Sequence, residues 1–206
     1  EFDFEEARRQ FGSVKKMKGE AALGMCHLAI KKRDVDEARQ YLALVASGTA
    51  SGTASGAISG GKISPRNPEY RLFSTYVSLL SGEYHGAEIE ADRLTKECEH
   101  DPGLLLIIAE IFITIGSYAK CENVLKKIKQ TCPENDQMLA LFAHASYSKE
   151  NYEDARSYVD RALQINPWNL YSMTIQLKFY TRKGLYEDAE AAGKEMFRIC
   201  PEYSLG

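Results

Sequence analysis

The chain predicts an all-α fold, an α-solenoid of stacked helix–turn–helix units, on three observations. A tyrosine recurs every 34 residues, a proline recurs at the same period, and the apolar residues around them keep helical spacing. The tyrosines are Tyr84, Tyr118, Tyr152 and Tyr186, and the prolines are Pro133, Pro167 and Pro201. Three residues after each tyrosine stands a small side chain: Ala87, Cys121, Ala155 and Ala189. Two residues before it stand Gly82, Gly116 and Gly184, with Glu150 as the exception.

Each tyrosine opens the second helix of a unit. Tyr118, Cys121, Leu125 and Ile128 fall on one helical stripe, as do Tyr152, Ala155, Val159 and Ala162, and then Tyr186, Ala189, Gly193 and Met196. A first helix precedes each turn. Its stripes are Leu105, Ile108, Ala109 and Phe112, then Leu139, Phe142, Ala143 and Ser146, then Met173, Leu177 and Tyr180 with Gln176 interrupting. Glycine suits the end of the first helix because the residue past a helix C-terminus often needs a positive φ. Beside Glu150, Asn151 is expected to take that role. Proline follows the second helix because it cannot continue one.

The same pattern runs upstream. Ala22, Met25, Cys26 and Ala29 form a first-helix stripe, and Ala38, Leu42 and Val45 its second. Phe4, Ala7, Phe11 and Val14 read as a further second helix without its partner. The unit at 68–101 keeps Gly82, Tyr84, Ala87, Ala91 and Leu94, but Arg71, Ser74 and Thr75 stand where its first helix should be apolar. Tyr70, Phe73, Val77 and Leu80 offer another stripe, so this helix is expected to sit rotated.

A 34-residue unit carrying Gly/Glu-x-Tyr-x-x-Ala/Cys and then Pro resembles the tetratricopeptide repeat; Gly184-Leu185-Tyr186-Glu187-Asp188-Ala189 with Pro201 is one copy. Three copies match well, at 102–135, 136–169 and 170–203, and 68–101 is a weaker fourth. The expected organisation is N-terminal repeat-like helices over 1–46, a Gly/Ser/Thr/Ala loop over 47–67, and four repeats over 68–206. The loop's low complexity buries almost nothing and should behave as a flexible coil, whether a natural insertion or an engineered link. The pattern starts in mid-repeat and stops where another repeat should begin, so the chain reads as the middle of a longer solenoid. Uncapped ends of that kind would favour self-association.

Composition narrows the function. The 206 residues are 44% hydrophobic and 27% charged, with a net charge of −3, values of an ordinary globular chain. The charge gives no reason to expect nucleic acid as a partner, and no apolar run is long enough to span a bilayer. Five cysteines (Cys26, Cys98, Cys121, Cys132, Cys200) show no metal-ligand spacing, which points to free thiols in a reducing compartment, cytoplasmic or nuclear. No phosphate loop, nucleophile elbow or metal-ligand pair is present, so no enzyme activity, catalytic residue, cofactor or metal is expected. Lys126, Lys127 and Lys129 read as a solvated helix face near a C-terminus.

The resemblance implies a right-handed α-solenoid and a protein–protein interaction scaffold that holds a partner's peptide or helix along the inner wall of first helices. Here that wall reads Leu72, Tyr76 and Leu79, then Leu106, Glu110 and Ile113, then His144 and Tyr147 beside Ala140, then Tyr171, Thr174, Lys178 and Arg182. Some tetratricopeptide domains clamp a C-terminal carboxylate with lysine, asparagine and arginine. The corresponding positions hold Leu106, Ile107, Leu141 and Ile175, so that ligand is not expected. Two alternatives stand beside the scaffold reading: a regulatory arm of a larger enzyme or transcription factor, and a helical-repeat RNA binder, which the net charge disfavours.

Overall fold

The structure, a computed structural model, describes residues 19–47 and 63–201. Among them are ten α-helices of 13 or 14 residues and no strand. The helix expected around Phe4 to Val14, the segment 48–62 and the last residues fall outside the described part. The chain divides into two compact units, with the boundary between Cys98 and Glu99.

The first unit holds two helix pairs, Gly19–Lys31 (α1) with Val35–Ser47 (α2), and Pro68–Leu80 (α3) with Tyr84–Glu97 (α4). The second holds three: Pro102–Ile115 (α5) with Tyr118–Thr131 (α6), Asp136–Ser148 (α7) with Tyr152–Ile165 (α8), and Leu170–Lys183 (α9) with Tyr186–Ile199 (α10). Within each unit a first helix touches its own second helix and also the next first helix, as α5 touches α7 and α7 touches α9.

Local sequence sets both ends of these helices. Asn67, Asp101, Asn135 and Asn169, again 34 residues apart, are the N-caps of α3, α5, α7 and α9, and each accepts one or two backbone N–H groups on its side-chain oxygen. Pro68 and Pro102 follow two of them, where a missing N–H costs nothing. At the other end every first helix stops in the same way. The N–H of the left-handed residue bonds back three residues and the next N–H bonds back five, as Gly116 to Ile113 and Ser117 to Phe112 at 3.0 and 2.8 Å. The left-handed residues are Arg33, Gly82, Gly116, Glu150 and Gly184. Glu150 therefore takes the positive φ itself (64°), and Asn151, with φ −85°, is instead the N-cap of α8. The stop is set by register, and the side chain at that register accepts the strain.

The first-helix stripes expected for α5 and α7 are core, whereas in α9 only Met173 of Met173, Leu177 and Tyr180 is buried. Leu105, Ile108, Ala109 and Phe112 are buried, as are Leu139, Phe142, Ala143 and Ser146. In α5, Leu105, Leu106, Ile108, Ile111, Phe112 and Ile113 are all buried, so this helix is apolar nearly all round and enclosed by neighbours. Burying those six side chains contributes on the order of 10–15 kcal/mol before chain entropy is subtracted. The tyrosine column behaves differently from its stripe. It supplies the first residue of each second helix, but Tyr84 and Tyr186 are 56% and 71% exposed. In the first unit Ala22, Met25, Cys26 and Ala29 of α1 and Ala38, Leu42 and Val45 of α2 are buried. Helix α3 buries Phe73 and Val77, with the Phe73 ring 5.3 Å from that of His27 on α1. Its polar set, Arg71, Ser74 and Thr75, is turned toward α4, where Arg71 meets Glu90 and Glu97.

Candidate functional site

The candidate site lies in the second unit, where α7 and α9 run side by side. His144 and Tyr147, three residues apart on α7, share a face. Tyr171, Thr174, Lys178 and Arg182 rise along one face of α9 at successive helical turns. The His144 Nδ1 meets the Tyr171 hydroxyl in a hydrogen bond. One turn on, the Tyr147 hydroxyl donates to the carbonyl of Lys178 at 3.4 Å. The Tyr147 ring meets Tyr152 edge to face with centroids 5.4 Å apart, and the Arg182 guanidinium lies 4.5 Å over the Tyr152 ring.

The electrostatics follow from this packing. Burial, with the Lys178 ammonium nearby, pulls the His144 imidazole down to about 4. His144 is therefore neutral near pH 7 and serves as a hydrogen-bonding group. Lys178 and Arg182 are exposed, and no carboxylate pairs with either among the described residues. Helix α9 carries Lys178, Arg182 and Lys183 and no acidic residue, a local positive strip on a chain whose net charge is −3.

The structure sorts the sequence-derived wall into two sets. His144, Tyr147, Tyr171, Lys178 and Arg182 come together as described, and Thr174 is half-buried with its hydroxyl donating to the Leu170 carbonyl. Glu110 on α5 is half-buried. Leu106 and Ile113, at 8% and 6% exposure, are buried on α5. Leu72 and Leu79 are likewise buried, and Tyr76 half-buried, on α3 of the other unit. The hydrophobic positions Leu106, Leu141 and Ile175, where a carboxylate clamp would need polar groups, are all buried. Tyr152 completes the aromatic cluster and was legible only indirectly. It is the one tyrosine of its column followed, at the spacing that reaches Arg182, by a cation; Tyr84 and Tyr118 reach Thr114 and Ser148.

Three further observations bear on what the chain can do. Among the described residues no group of three or more His, Cys, Asp or Glu side chains could hold a metal ion. Burial pushes the thiols of Cys26 and Cys121 up to about 12, so neither is a thiolate nucleophile at neutral pH. No helix among the described residues is long and apolar enough to cross a membrane.

Pairs of helices at a fixed 34-residue period, each first helix stopped by the same left-handed turn, define a helical-repeat fold of the tetratricopeptide type. Solved structures agree. The chain is similar to TTC0263, a thermophilic TPR protein of Thermus thermophilus, with a TM-score of 0.70 and 13% identity over 89% of this chain and 92% of that one. It is also similar to MamA AMB-1 (TM-score 0.56, 12% identity, 90% and 99% covered) and to MamA from Desulfovibrio magneticus RS-1 (TM-score 0.52, 15% identity, 88% and 93% covered). At these identities the likeness is one of fold. No protein-family profile and no curated protein sequence matches the chain.

Proposed function

We propose that the chain is a protein-interaction scaffold without catalysis of its own, and that it holds an extended segment or amphipathic helix of a partner against the α7–α9 wall. One observation carries the reading. Four aromatic or imidazole groups, His144, Tyr147, Tyr152 and Tyr171, contact one another or the next helix and are flanked by Lys178 and Arg182, cations that no carboxylate neutralises among the described residues. Rigid aromatics with an adjacent arginine are the residue types that dominate binding energy at protein interfaces. The tetratricopeptide fold of the similar structures supports the same reading.

The test is quantitative capture. The full chain and a Tyr147→Ala/Arg182→Glu variant are used as bait in extracts of the source cells, with bound proteins counted by mass spectrometry. A specifically retained protein should lose at least about tenfold in affinity to the variant, since one interfacial hot spot is worth about 2 kcal/mol or more. Helical content should stay unchanged. The control pair is Lys126→Glu/Lys129→Glu, both exposed on α6. A partner lost by the α6 pair and kept by the α7–α9 variant would place binding elsewhere and overturn the proposal.

A further inference from the structure

Helix α3 departs from its sister α5 at the positions that face the second helix of the repeat. Where α5 buries Leu105, Ile108, Ala109 and Phe112, α3 carries Arg71, Ser74, Thr75 and Ser78. The polar set lines a cleft of about 340 Å³ between α3 and α4, shared with Tyr70, Glu83, Ala87 and Glu90. The groove beside Tyr147, Val159 and Phe179 in the other unit measures only about 30 Å³, room for a water or two. A cleft the size of the α3–α4 one is in the range that takes a small organic group.

Its charges decide what kind of group. Arg71 is already neutralised. Its Nε lies 2.7 Å from Glu90 Oε1, and a terminal nitrogen lies 2.6 Å from Glu97 Oε2. The second oxygen of Glu90 meets Arg93 at 3.4 Å. Glu83 is different. It is the N-cap of α4, yet its side chain makes no capping bond, and its carboxylate has no partner among the described residues. The hydroxyls of Tyr70, Ser74 and Ser78 have none either among the described residues. The cleft thus offers one unpaired carboxylate and three hydrogen-bonding hydroxyls. Arg71 is spent on Glu90 and Glu97, so no free cation waits there for an anion. An apolar guest would strip water from the hydroxyls without return.

We propose that this cleft binds an ammonium or guanidinium group on an alkyl stem, with Glu83 as counter-ion and the Ser74, Ser78 and Tyr70 oxygens accepting its remaining N–H groups. The stem lies along Ala87 and the Tyr70 ring. The group belongs either to a free diamine or to a lysine or arginine side chain of a protein. The proposal is independent of the α7–α9 wall. It also accounts for the polar residues in a repeat whose sister at the same positions is apolar: the binding site is kept at the expense of core packing.

Two probes test it on the full chain by amide NMR: cadaverine, and the lysine side-chain mimic N-acetyl-lysine methylamide, with the norleucine analogue as neutral control. Saturable millimolar shifts at Ser74, Ser78, Glu83 and Gly86 are expected from at least one probe and none from the control. Tighter binding of cadaverine assigns the site to a free amine, and tighter binding of the lysine mimic assigns it to a side chain. Glu83→Gln, an exposed substitution that leaves the helices intact, should weaken binding about tenfold, as expected for a charge-assisted hydrogen bond. Ser74→Ile/Ser78→Phe installs the α5 residues, and should abolish binding while raising the melting temperature. Absence of saturable shifts from both probes would overturn the proposal. So would equal shifts from the norleucine control, or undiminished affinity in Glu83→Gln or in the filled variant.

Discussion

Replacing Glu150 by glycine should stabilise the protein, and replacing Gly116 by alanine should destabilise it by a similar amount. Both residues occupy the same left-handed position after a first helix, at φ 64° and 87°. The backbone bonds there are alike: Glu150 to Tyr147 and Asn151 to Ser146 at 3.0 and 2.9 Å, Gly116 to Ile113 and Ser117 to Phe112 at 3.0 and 2.8 Å. A Cβ in this conformation costs about 1–2 kcal/mol. Glycine's greater freedom in the unfolded chain returns about 0.5–1 kcal/mol of that. The net is about 1 kcal/mol, or about 2–4 °C in melting temperature for a chain of this length. Nothing else should obscure it. The Glu150 side chain is exposed, and a Cβ built on Gly116 meets no atom within 4 Å, so neither change creates a clash or leaves a cavity. Urea unfolding followed by circular dichroism measures both variants, with Glu150→Ala as the control that removes the charge and keeps the strain. If Glu150→Gly gains no more than Glu150→Ala, or Gly116→Ala costs nothing, the left-handed residue is not the origin of the strain.

Two further outcomes follow from side-chain contacts. The imidazole of His144 is held down to about 4 in the folded chain against an ordinary 6.5, so the unfolded state binds the extra proton first; stability is full above pH 6.5 and falls as pH drops toward 4, by up to about 1.4 kcal/mol per pH unit. Urea midpoints at pH 7, 5.5 and 4 should fall more steeply for the wild type than for His144→Gln, and parallel slopes would refute the assignment. One oxygen of Asp136 accepts the side-chain amides of Asn166 and Asn169 at 2.8 Å each, tying the α8–α9 turn to the start of α7. Because Asn169 is buried, Asp136→Ala should cost about 2–3 kcal/mol in the same urea assay, and a loss below about 0.5 kcal/mol would show that water replaces the carboxylate.

Much of the fold was written in the chain because a repeat states each local choice several times. The 34-residue column of tyrosines marks the starts of the second helices, and Gly82, Gly116 and Gly184 mark the ends of the first. The column of Asn67, Asp101, Asn135 and Asn169, absent from the expected pattern and shown by the structure to be N-caps, is local in the same sense, since the capping bond reaches only two or three residues. Those signals are local, and local signals survive without knowledge of neighbours. Burial is not local. On α5 the spacing of Leu106, Glu110 and Ile113 puts them on one face, but only the packing of the surrounding helices decides that the two apolar ones are enclosed and the acid is half-exposed. The pairing of Tyr152 with Arg182 and of His144 with Tyr171 joins residues on different helices, so it depends on how those helices sit side by side. The same holds for the α3–α4 cleft. Sequence alone showed Arg71, Ser74 and Thr75 breaking the apolar stripe, whereas the tertiary structure decided that the break would open as a polar cleft, because Arg71 finds Glu90 and Glu97 across the pair and the small hydroxyl side chains beside it cannot fill the space that Ile108 and Phe112 fill in the next repeat.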